Sequence, residues 1–185
     1  EVSFGAMGKQ KLIIPEARAE DINKHLSDLK SYIESNRSIF KESNIQNIIS
    51  QGILSHNEAY KGNLITQDIS MESVQKRRDF ARIPNTRIKI HDCASLYFNS
   101  RNPMLYKLKE RQKELVLIQV DPDILMQANT YFTDGNAAST KTKFYNVIKD
   151  IDRLNWNIII DSSWNHPDEV IHSENKRIRC AEVLV

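Results

Sequence analysis

The sequence is poor in glycine, proline and cysteine: its 185 residues include five, five and two of them, respectively. So few glycines and prolines exclude collagen-like repeats and flexible linkers rich in these residues. The two cysteines, Cys93 and Cys180, have no second Cys and no His at zinc-ligand spacing. This pattern indicates reduced structural thiols in a cytoplasmic protein, and we expect no metal site.

Long apolar runs and a strong net charge are also missing. No stretch approaches the ~20 apolar residues that span a bilayer, and the first ten residues do not form a signal peptide, so we expect no membrane contact. The formal net charge is only +2, which does not by itself indicate a nucleic-acid-binding protein. Glycine-rich phosphate loops and a catalytic triad pattern are absent as well. Function must therefore be sought in local features.

The remaining composition, 40% hydrophobic and 27% charged, is ordinary for one globular domain. Helical periodicity dominates the first half of the chain and strand-like apolar runs dominate the second, which favours the α+β class. We predict helices at 15–36, 43–51, 70–80, 121–128 and 140–154, strands within 88–98, 115–120, 156–161 and 181–185, and loops at 55–70 and 162–177.

The N-terminal segment differs from the rest of the chain. Ile22, Leu26, Leu29 and Ile33 recur at helical spacing among charged residues. They predict an amphipathic helix that packs on the domain or binds a partner. We place one boundary near residue 36, between an N-terminal helical extension (1–36) and the main domain (37–185).

Two charged features of the main domain allow more than one interpretation. Glu182 lies in the apolar strand C-A-E-V-L-V, where a glutamate faces either solvent or a site, and solvent is the commoner outcome. Arg78 ends a basic triplet near the end of a predicted helix, where cations ordinarily stabilise the helix dipole. Neither feature alone identifies a function.

An aromatic segment and three basic clusters are equally ambiguous. The segment HDCASLYFNSRNPMLY (91–106) combines aromatic residues with arginine. Such residues stack on unpaired bases, but they more often fill cores. Basic residues cluster at 107–113, 141–143 and 176–179, and they would form a track for phosphates only if the clusters shared one surface.

The order in which these motifs occur narrows the interpretations. They are NIQNIISQG (44–52), SHN (55–57), QKRR (75–78), the aromatic segment 91–106, FTDGNAAS (132–139), LNW (154–156), Trp164 and KRIRCAEVLV (176–185). In this order, from about residue 37 to 185, the chain resembles the DarT family, bacterial toxins that ADP-ribosylate bases in single-stranded DNA.

The resemblance implies an ADP-ribosyltransferase-like mixed sheet with flanking helices and a cleft for NAD, which serves as co-substrate. It implies that Glu182 is the catalytic carboxylate and that Arg78 orients or activates the base. Ser38 and Phe40 stand where the family usually carries His-x-Thr. The residues that would bind NAD are Ser38, Phe40, Asn44, His56, Asn57 and Arg78, and those that would bind DNA are Tyr97, Arg101, Met104, Asn136 and Lys176.

The resemblance also implies partners, and it leaves alternatives open. The expected partners are single-stranded DNA and a macrodomain antitoxin that removes the modification. The acceptor could instead be RNA or a protein side chain. Two non-enzymatic hypotheses remain: an inactive nucleic-acid-binding module of the same fold, and a structural domain that binds a partner through the 15–36 helix.

Overall fold

The structure is a computed structural model that describes residues 36–65 and 68–185. Its strands, in chain order, are β1 (Asn36–Lys41), β2 (Ser95–Tyr97), β3 (Leu115–Val120), β4 (Tyr131–Thr133), β5 (Phe144–Tyr145) and β6 (Glu182–Leu184). They form one six-stranded sheet in the order β3-β1-β2-β6-β4-β5. Each pair of neighbouring strands is antiparallel.

Short helices surround this sheet. The α-helices are α1 (Ile45–Gln51), α2 (His56–Lys61), α3 (Glu72–Phe80), α4 (Pro103–Lys107), α5 (Trp156–Ile160) and α6 (Glu169–Arg179). The 3₁₀-helices are Glu42–Asn44, Ile90–Asp92, Lys109–Glu114, Pro122–Met126 and Ile148–Arg153. This combination of helices and a single sheet confirms the α+β class.

Each face of the sheet buries its own apolar cluster, because successive side chains of a strand point to opposite faces. Val183 of β6 packs with Leu96 and Phe132 of the neighbouring strands in the larger cluster. Leu184 packs on the other face with Ile83 and Ile90. Glu182, two residues before Leu184, therefore faces the side of the smaller cluster.

Several predicted elements are confirmed. Helix α1 lies within the predicted 43–51 helix and ends at Gly52, whose φ of 85° suits glycine. Helix α3 lies within the predicted 70–80 helix, and its N-cap is Met71. Strand β3 matches 115–120, strand β6 lies within 181–185, and strand β2 lies within 88–98. The helix predicted at 121–128 is the 3₁₀-helix Pro122–Met126, which the side chain of Asp121 caps.

Four predictions were wrong. The loop predicted at 55–70 contains α2, which begins where the Ser55 hydroxyl accepts a hydrogen bond from the Glu58 N–H. The helix predicted at 140–154 is instead β5 followed by a 3₁₀-helix, since pairing with β4 overrides the helical periodicity. The apolar run 156–161 is helix α5 rather than a strand; short apolar runs do not distinguish the two.

The fourth error concerns the predicted loop 162–177, most of which is helix α6. Oδ1 of Asp168 accepts hydrogen bonds from the backbone N–H groups of Val170 and Ile171, at 2.8 and 3.0 Å, and so caps the helix. Residues 15–35 of the helix predicted at 15–36 lie outside the described residues, and Asn36 begins β1.

Candidate active site

Glu182 begins the strand at the centre of the sheet. It pairs with Tyr97 of β2 on one side, and its backbone N–H donates to the hydroxyl of Thr133 of β4, at 2.9 Å, on the other. Its side chain is 1% exposed. A glutamate this deeply buried needs partners for its carboxylate, so the solvent-facing interpretation does not hold.

Arg78, in the last turn of α3, supplies the main partner. Its Nη1 donates to both carboxylate oxygens of Glu182, at 3.1 and 2.9 Å, and its Nη2 donates to the Ser95 hydroxyl at 2.6 Å. Arg78 is itself only 7% exposed. Burial lowers the pKa of Arg78, but the charge and hydrogen bonds of Glu182, together with Tyr97 and Cys93, raise it by more, so the net shift is a rise and the guanidinium stays charged.

The turn after β4 provides a second donor. The backbone N–H of Ala137 donates to Oε1 of Glu182 at 3.0 Å. Arg177 of α6 holds this turn in place: its Nη1 bonds Oδ1 of Asp134 at 2.9 Å, and its carbonyl accepts from the Asn136 N–H at 2.9 Å. Two elements distant in sequence thus orient one carboxylate.

Glycine is required in this turn because of a close approach. A Cβ at Gly135 would lie 2.2 Å from Nη1 and 2.9 Å from the carbonyl oxygen of Arg177, well inside van der Waals contact. Arg177 is also held by Glu174, whose carboxylate accepts a hydrogen bond from Nη2 at 2.8 Å. The turn therefore packs against α6 with no space for a side chain at residue 135.

A cavity of about 320 Å³ opens over this pair. Arg78 lines it, while the buried carboxylate of Glu182 lies behind the guanidinium. Tyr97 and Met104 form part of the wall, and the Tyr97 hydroxyl donates to the Met104 sulfur at 3.2 Å. Burial and the carboxylate of Glu182 raise the pKa of Tyr97, so it remains a neutral phenol.

Two histidines lie on the same wall. The rings of His56 and His91 stack with centroids 4.1 Å apart, and Nε2 of His91 lies 2.7 Å from Oε1 of Gln75. Burial, together with the positive charges of His56 and Arg78, lowers the pKa of His91 to about 4. His91 is therefore neutral near pH 7 and adds no charge beside Arg78.

A second cavity of about 210 Å³ adjoins the first and shares His56 and Met104 with it. Asn44 and Asn47 lie on its wall. The two cavities together offer an extended cleft with a charged guanidinium at one end. Such a shape suits an elongated ligand with polar groups at several points.

The structure brings many of the predicted site residues together. Arg78, His56, Tyr97, Met104 and Asn136 line the larger cavity, and Asn44 lines the smaller one. Asn57 lies next to His56 on α2, but its amide donates to Asp92 at 2.6 Å. Lys176 is on helix α6, not in a loop as predicted.

Among the predicted residues whose side chains are described, Asn57, Arg101 and Lys176 do not line these cavities, and Glu182 lies behind Arg78. Arg101 and Lys176 are exposed on the surface. The backbones of Ser38 and Phe40 pair with β3, and their side chains are outside the described part of the chain.

Sequence reasoning missed four residues at the site. They are Thr133, Ala137, Gln75 and His91, which orient Glu182 or line the cavity. The His91-Asp92 pair was noticed in the sequence, but it matched no catalytic pattern. Among residues 36–65 and 68–185, no group of three or more His, Cys, Asp or Glu residues could hold a metal ion, and no helix is long and apolar enough to cross a membrane.

Comparison with known proteins identifies related sequences. A fusion protein of Thermosipho africanus (strain H17ap60334), named DNA ADP-ribosyl transferase-DNA ADP-ribosyl glycohydrolase, is 33% identical over 105 residues, covering 55% of this chain and 27% of the fusion protein. A DNA ADP-ribosyl transferase of Thermus sp. (strain 2.9) is 25% identical over 138 residues, covering 69% of this chain and 65% of that protein. The chain thus spans less than two thirds of the length of either relative.

A solved structure has the same fold. Thermus sp. 2.9 DarT in complex with ADP-ribosylated ssDNA has a TM-score of 0.71 at 24% identity, covering 81% of this chain and 73% of that one. The sequence model of the family described as "ssDNA thymidine ADP-ribosyltransferase, DarT" matches residues 38–185. This match takes in both members of the buried Arg78–Glu182 pair, and the chain belongs to the DarT family.

Proposed function

We propose that the protein transfers ADP-ribose from NAD to a thymine base of single-stranded DNA. The observation that carries the proposal is the buried Arg78–Glu182 pair at the base of a cavity, in a chain that matches a family of ssDNA thymidine ADP-ribosyltransferases. We assign this activity to residues 37–185, with the boundary near residue 36. We place the reaction in the cytoplasm.

The first step breaks the bond between nicotinamide and the ribose of NAD. Positive charge develops on the ribose, and nicotinamide departs as a neutral molecule, so no strong acid is needed. A carboxylate near the ribose 2′-hydroxyl binds more strongly as that charge grows, which is differential binding of the transition state. Glu182 is the carboxylate for this role, oriented by the Ala137 N–H.

Some of the hydrogen bonds between Arg78 and Glu182 must then break, because the guanidinium separates the carboxylate from the cavity. Substrate binding replaces these hydrogen bonds: the guanidinium turns towards the incoming base, and the carboxylate contacts the ribose. NAD would lie along the two adjoining cavities, near Asn44, His56 and Asn57, with the backbone of Ser38 and Phe40 beside it. Arg78 contacts both substrates in this arrangement.

The second step joins the base to the ribose. A nitrogen of the thymine forms the new bond to the anomeric carbon of the ribose. The proton of this nitrogen passes to solvent or to a nearby proton acceptor. Arg78 stabilises the electron-rich base as this proton leaves. Tyr97 and Met104 pack on the base within the cavity, while Arg101, Asn136 and Lys176 contact the strand. An unpaired base avoids the cost of extraction from a duplex, a few kcal/mol.

In the Thermosipho relative, a transferase is fused to a glycohydrolase, which supports the macrodomain antitoxin as a partner. We infer that a macrodomain glycohydrolase removes the modification made by this chain. Such an enzyme would act on the modified DNA, so it needs no contact with the described surface. Co-expression with a glycohydrolase of this type should restore growth to cells that the transferase inhibits.

Intact-mass measurement of oligonucleotides tests the proposal. The protein is incubated with NAD and single-stranded DNA, the same sequence with every thymine replaced by cytosine, duplex DNA, and RNA. We expect one ADP-ribose on the thymine-containing single strand and none on the other three. Modification of RNA alone would overturn the assigned acceptor, and NAD binding without any transfer would indicate an inactive binding module.

A further inference from the structure

An exposed aromatic pair lies on the surface close to the cavity. Tyr106 of α4 is 58% exposed, and its ring packs edge-on against Trp164, with centroids 5.6 Å apart. The Nζ of Lys109 lies over the Tyr106 ring, 5.4 Å from its centroid. We call Tyr106, Trp164 and Lys109 the aromatic platform. An aromatic residue this exposed contributes little to the core, and its ring is accessible to a ligand.

Helix α4 fixes the platform relative to the cavity. Its N-cap, Asn102, accepts hydrogen bonds from the N–H groups of Met104 and Leu105, and its carbonyl accepts from the Tyr106 N–H at 3.0 Å. Met104 lines the cavity. Residues two apart on a helix point to nearly opposite sides. Tyr106 therefore lies on the side of α4 opposite to Met104 and faces away from the cavity.

The segment that carries Trp164 is attached to the same region. Arg179, which is 1% exposed, donates to the Arg101 carbonyl at 2.8 Å and to the Ile159 carbonyl at 2.8 Å. The amide of Asn99 also donates to the Ile159 carbonyl, at 3.0 Å. The end of α5 and the turn before α4 are thus joined through a buried guanidinium, which holds the Trp164 segment near Tyr106.

Positive charge surrounds the platform. The chain from Lys107 to Glu114 carries four basic residues and two acidic ones, and Arg101 is exposed on the preceding turn. The ion pairs within this segment, Lys109–Glu110 at 3.7 Å and Arg111–Glu114 at 3.4 Å, are largely exposed. Exposed pairs are weak and readily give way to a phosphate. A cationic, aromatic surface is what an unpaired nucleic acid strand binds.

We propose that the aromatic platform is a nucleotide subsite for the unpaired DNA strand, more than one nucleotide away from the nucleotide whose base enters the cavity. A flanking base stacks on Tyr106, Lys109 moves from the ring to a phosphate, and Trp164 supports the ring from its edge. This inference rests on the proposed function, since it assigns the path of the same DNA substrate. It gives the subsite a role in affinity for the strand and none in the chemistry.

Tyr106→Ala tests the inference by comparing oligonucleotides of two lengths. Stacking of one base contributes about 1–3 kcal/mol; a loss near the lower end of that range is about tenfold in affinity. We expect Tyr106→Ala to raise KM about tenfold for an oligonucleotide with several nucleotides on each side of the thymine. A trinucleotide centred on the thymine should show a much smaller change, and kcat should be unchanged for both.

Three variants serve as controls. Tyr106→Phe keeps the ring and should retain the native KM, whereas Trp164→Ala should show part of the Tyr106→Ala effect. Phe80→Ala removes an aromatic residue that is 85% exposed on α3 and should change no KM value. An unchanged KM for the long strand in Tyr106→Ala, or an equal rise for both lengths, would overturn the inference.

Anisotropy of a labelled single strand, measured without NAD, separates this inference from the proposed function. If the native protein binds the strand and Tyr106→Ala weakens binding about tenfold, the subsite stands even when no ADP-ribose is transferred. Tighter binding of an RNA of the same sequence, equally sensitive to Tyr106→Ala, would assign the platform to RNA instead. The urea unfolding midpoint of Tyr106→Ala should match that of the native protein, since the side chain is mostly exposed.

Discussion

One nitrogen of Arg78 bonds both carboxylate oxygens of Glu182, although 104 positions separate the two residues in the chain. Both side chains are buried, so each supplies the opposite charge that the other needs in the interior. The pair is therefore part of the fold as well as part of the proposed reaction. Substitution of either residue should change stability and activity together, and the two effects have to be measured separately.

Glu182→Gln should abolish most transfer while the fold persists. The amide retains the shape and one acceptor oxygen, but it carries no negative charge to stabilise the developing cation. We expect a loss of about 10²–10³-fold in kcat, as for the removal of one transition-state stabiliser. The rate of ADP-ribose transfer to DNA measures this, with circular dichroism as the control for folding. Near-native turnover would remove Glu182 from the mechanism.

Arg78→Ala should lose transfer but still bind NAD. It leaves the carboxylate of Glu182 buried with one fewer partner, which should also lower the free energy of unfolding by about 3–5 kcal/mol. Isothermal titration with NAD and urea unfolding give the two quantities. The double variant Arg78→Ala/Glu182→Gln should recover part of the lost stability. A large loss of NAD affinity in a folded Arg78→Ala protein would instead make Arg78 a ligand of the NAD diphosphate.

Gly135→Ala should displace the turn that donates to Glu182. The new methyl group would overlap Nη1 of Arg177, so either the turn or the guanidinium has to move, and the Ala137 N–H moves with the turn. We expect a loss of about 1–3 kcal/mol in stability, typical of overpacking, and a lower kcat. Arg177→Ala should lower the free energy of unfolding less in the Gly135→Ala protein than in the native protein. Fully additive losses would argue against a clash between these residues.

Lowering the pH should destabilise the protein through His91. Burial and two neighbouring positive charges lower its pKa from 6.5 to about 4 in the folded protein. The unfolded chain therefore takes up a proton between pH 6.5 and pH 4 that the folded protein does not, and the contribution of His91 is lost over that range. Asp79, 3.8 Å from Nδ1, opposes this only in part.

Urea unfolding at several pH values measures this effect. The free energy of unfolding should fall more steeply between pH 6.5 and pH 4 in the native protein than in His91→Gln. His56, whose pKa burial also lowers, should leave a residual slope in the variant. Equal slopes in the two proteins would show that His91 does not contribute.

The identity of the site residues could be predicted more fully than their arrangement. The motif around Glu182 and the basic triplet that ends in Arg78 were recognisable in the sequence because they resemble a known family. Nothing in local sequence indicates that the two side chains meet, since that contact depends on how β6 and α3 pack in the completed fold.

Local structure was predictable where local signals are strong. The helix predicted at 43–51 ends at Gly52, and the aliphatic run 115–120 is a strand. Helix α6 was missed although Asp168 offered a recognisable N-cap, because the segment before it is polar. The role of Gly135 was not predictable, since the sequence shows a turn but not the arginine that packs against it.

The position of β6 has a consequence for the order of folding. Among residues 36–65 and 68–185, it is the last of the six strands, and it joins the half-sheet β3-β1-β2 to the hairpin β4-β5. Until residues 182–184 leave the ribosome, those halves have no strand between them, and Arg78 has no carboxylate to meet. The same three residues complete the sheet and carry the proposed catalytic carboxylate. The sheet and the proposed active site are therefore completed by the same step of folding.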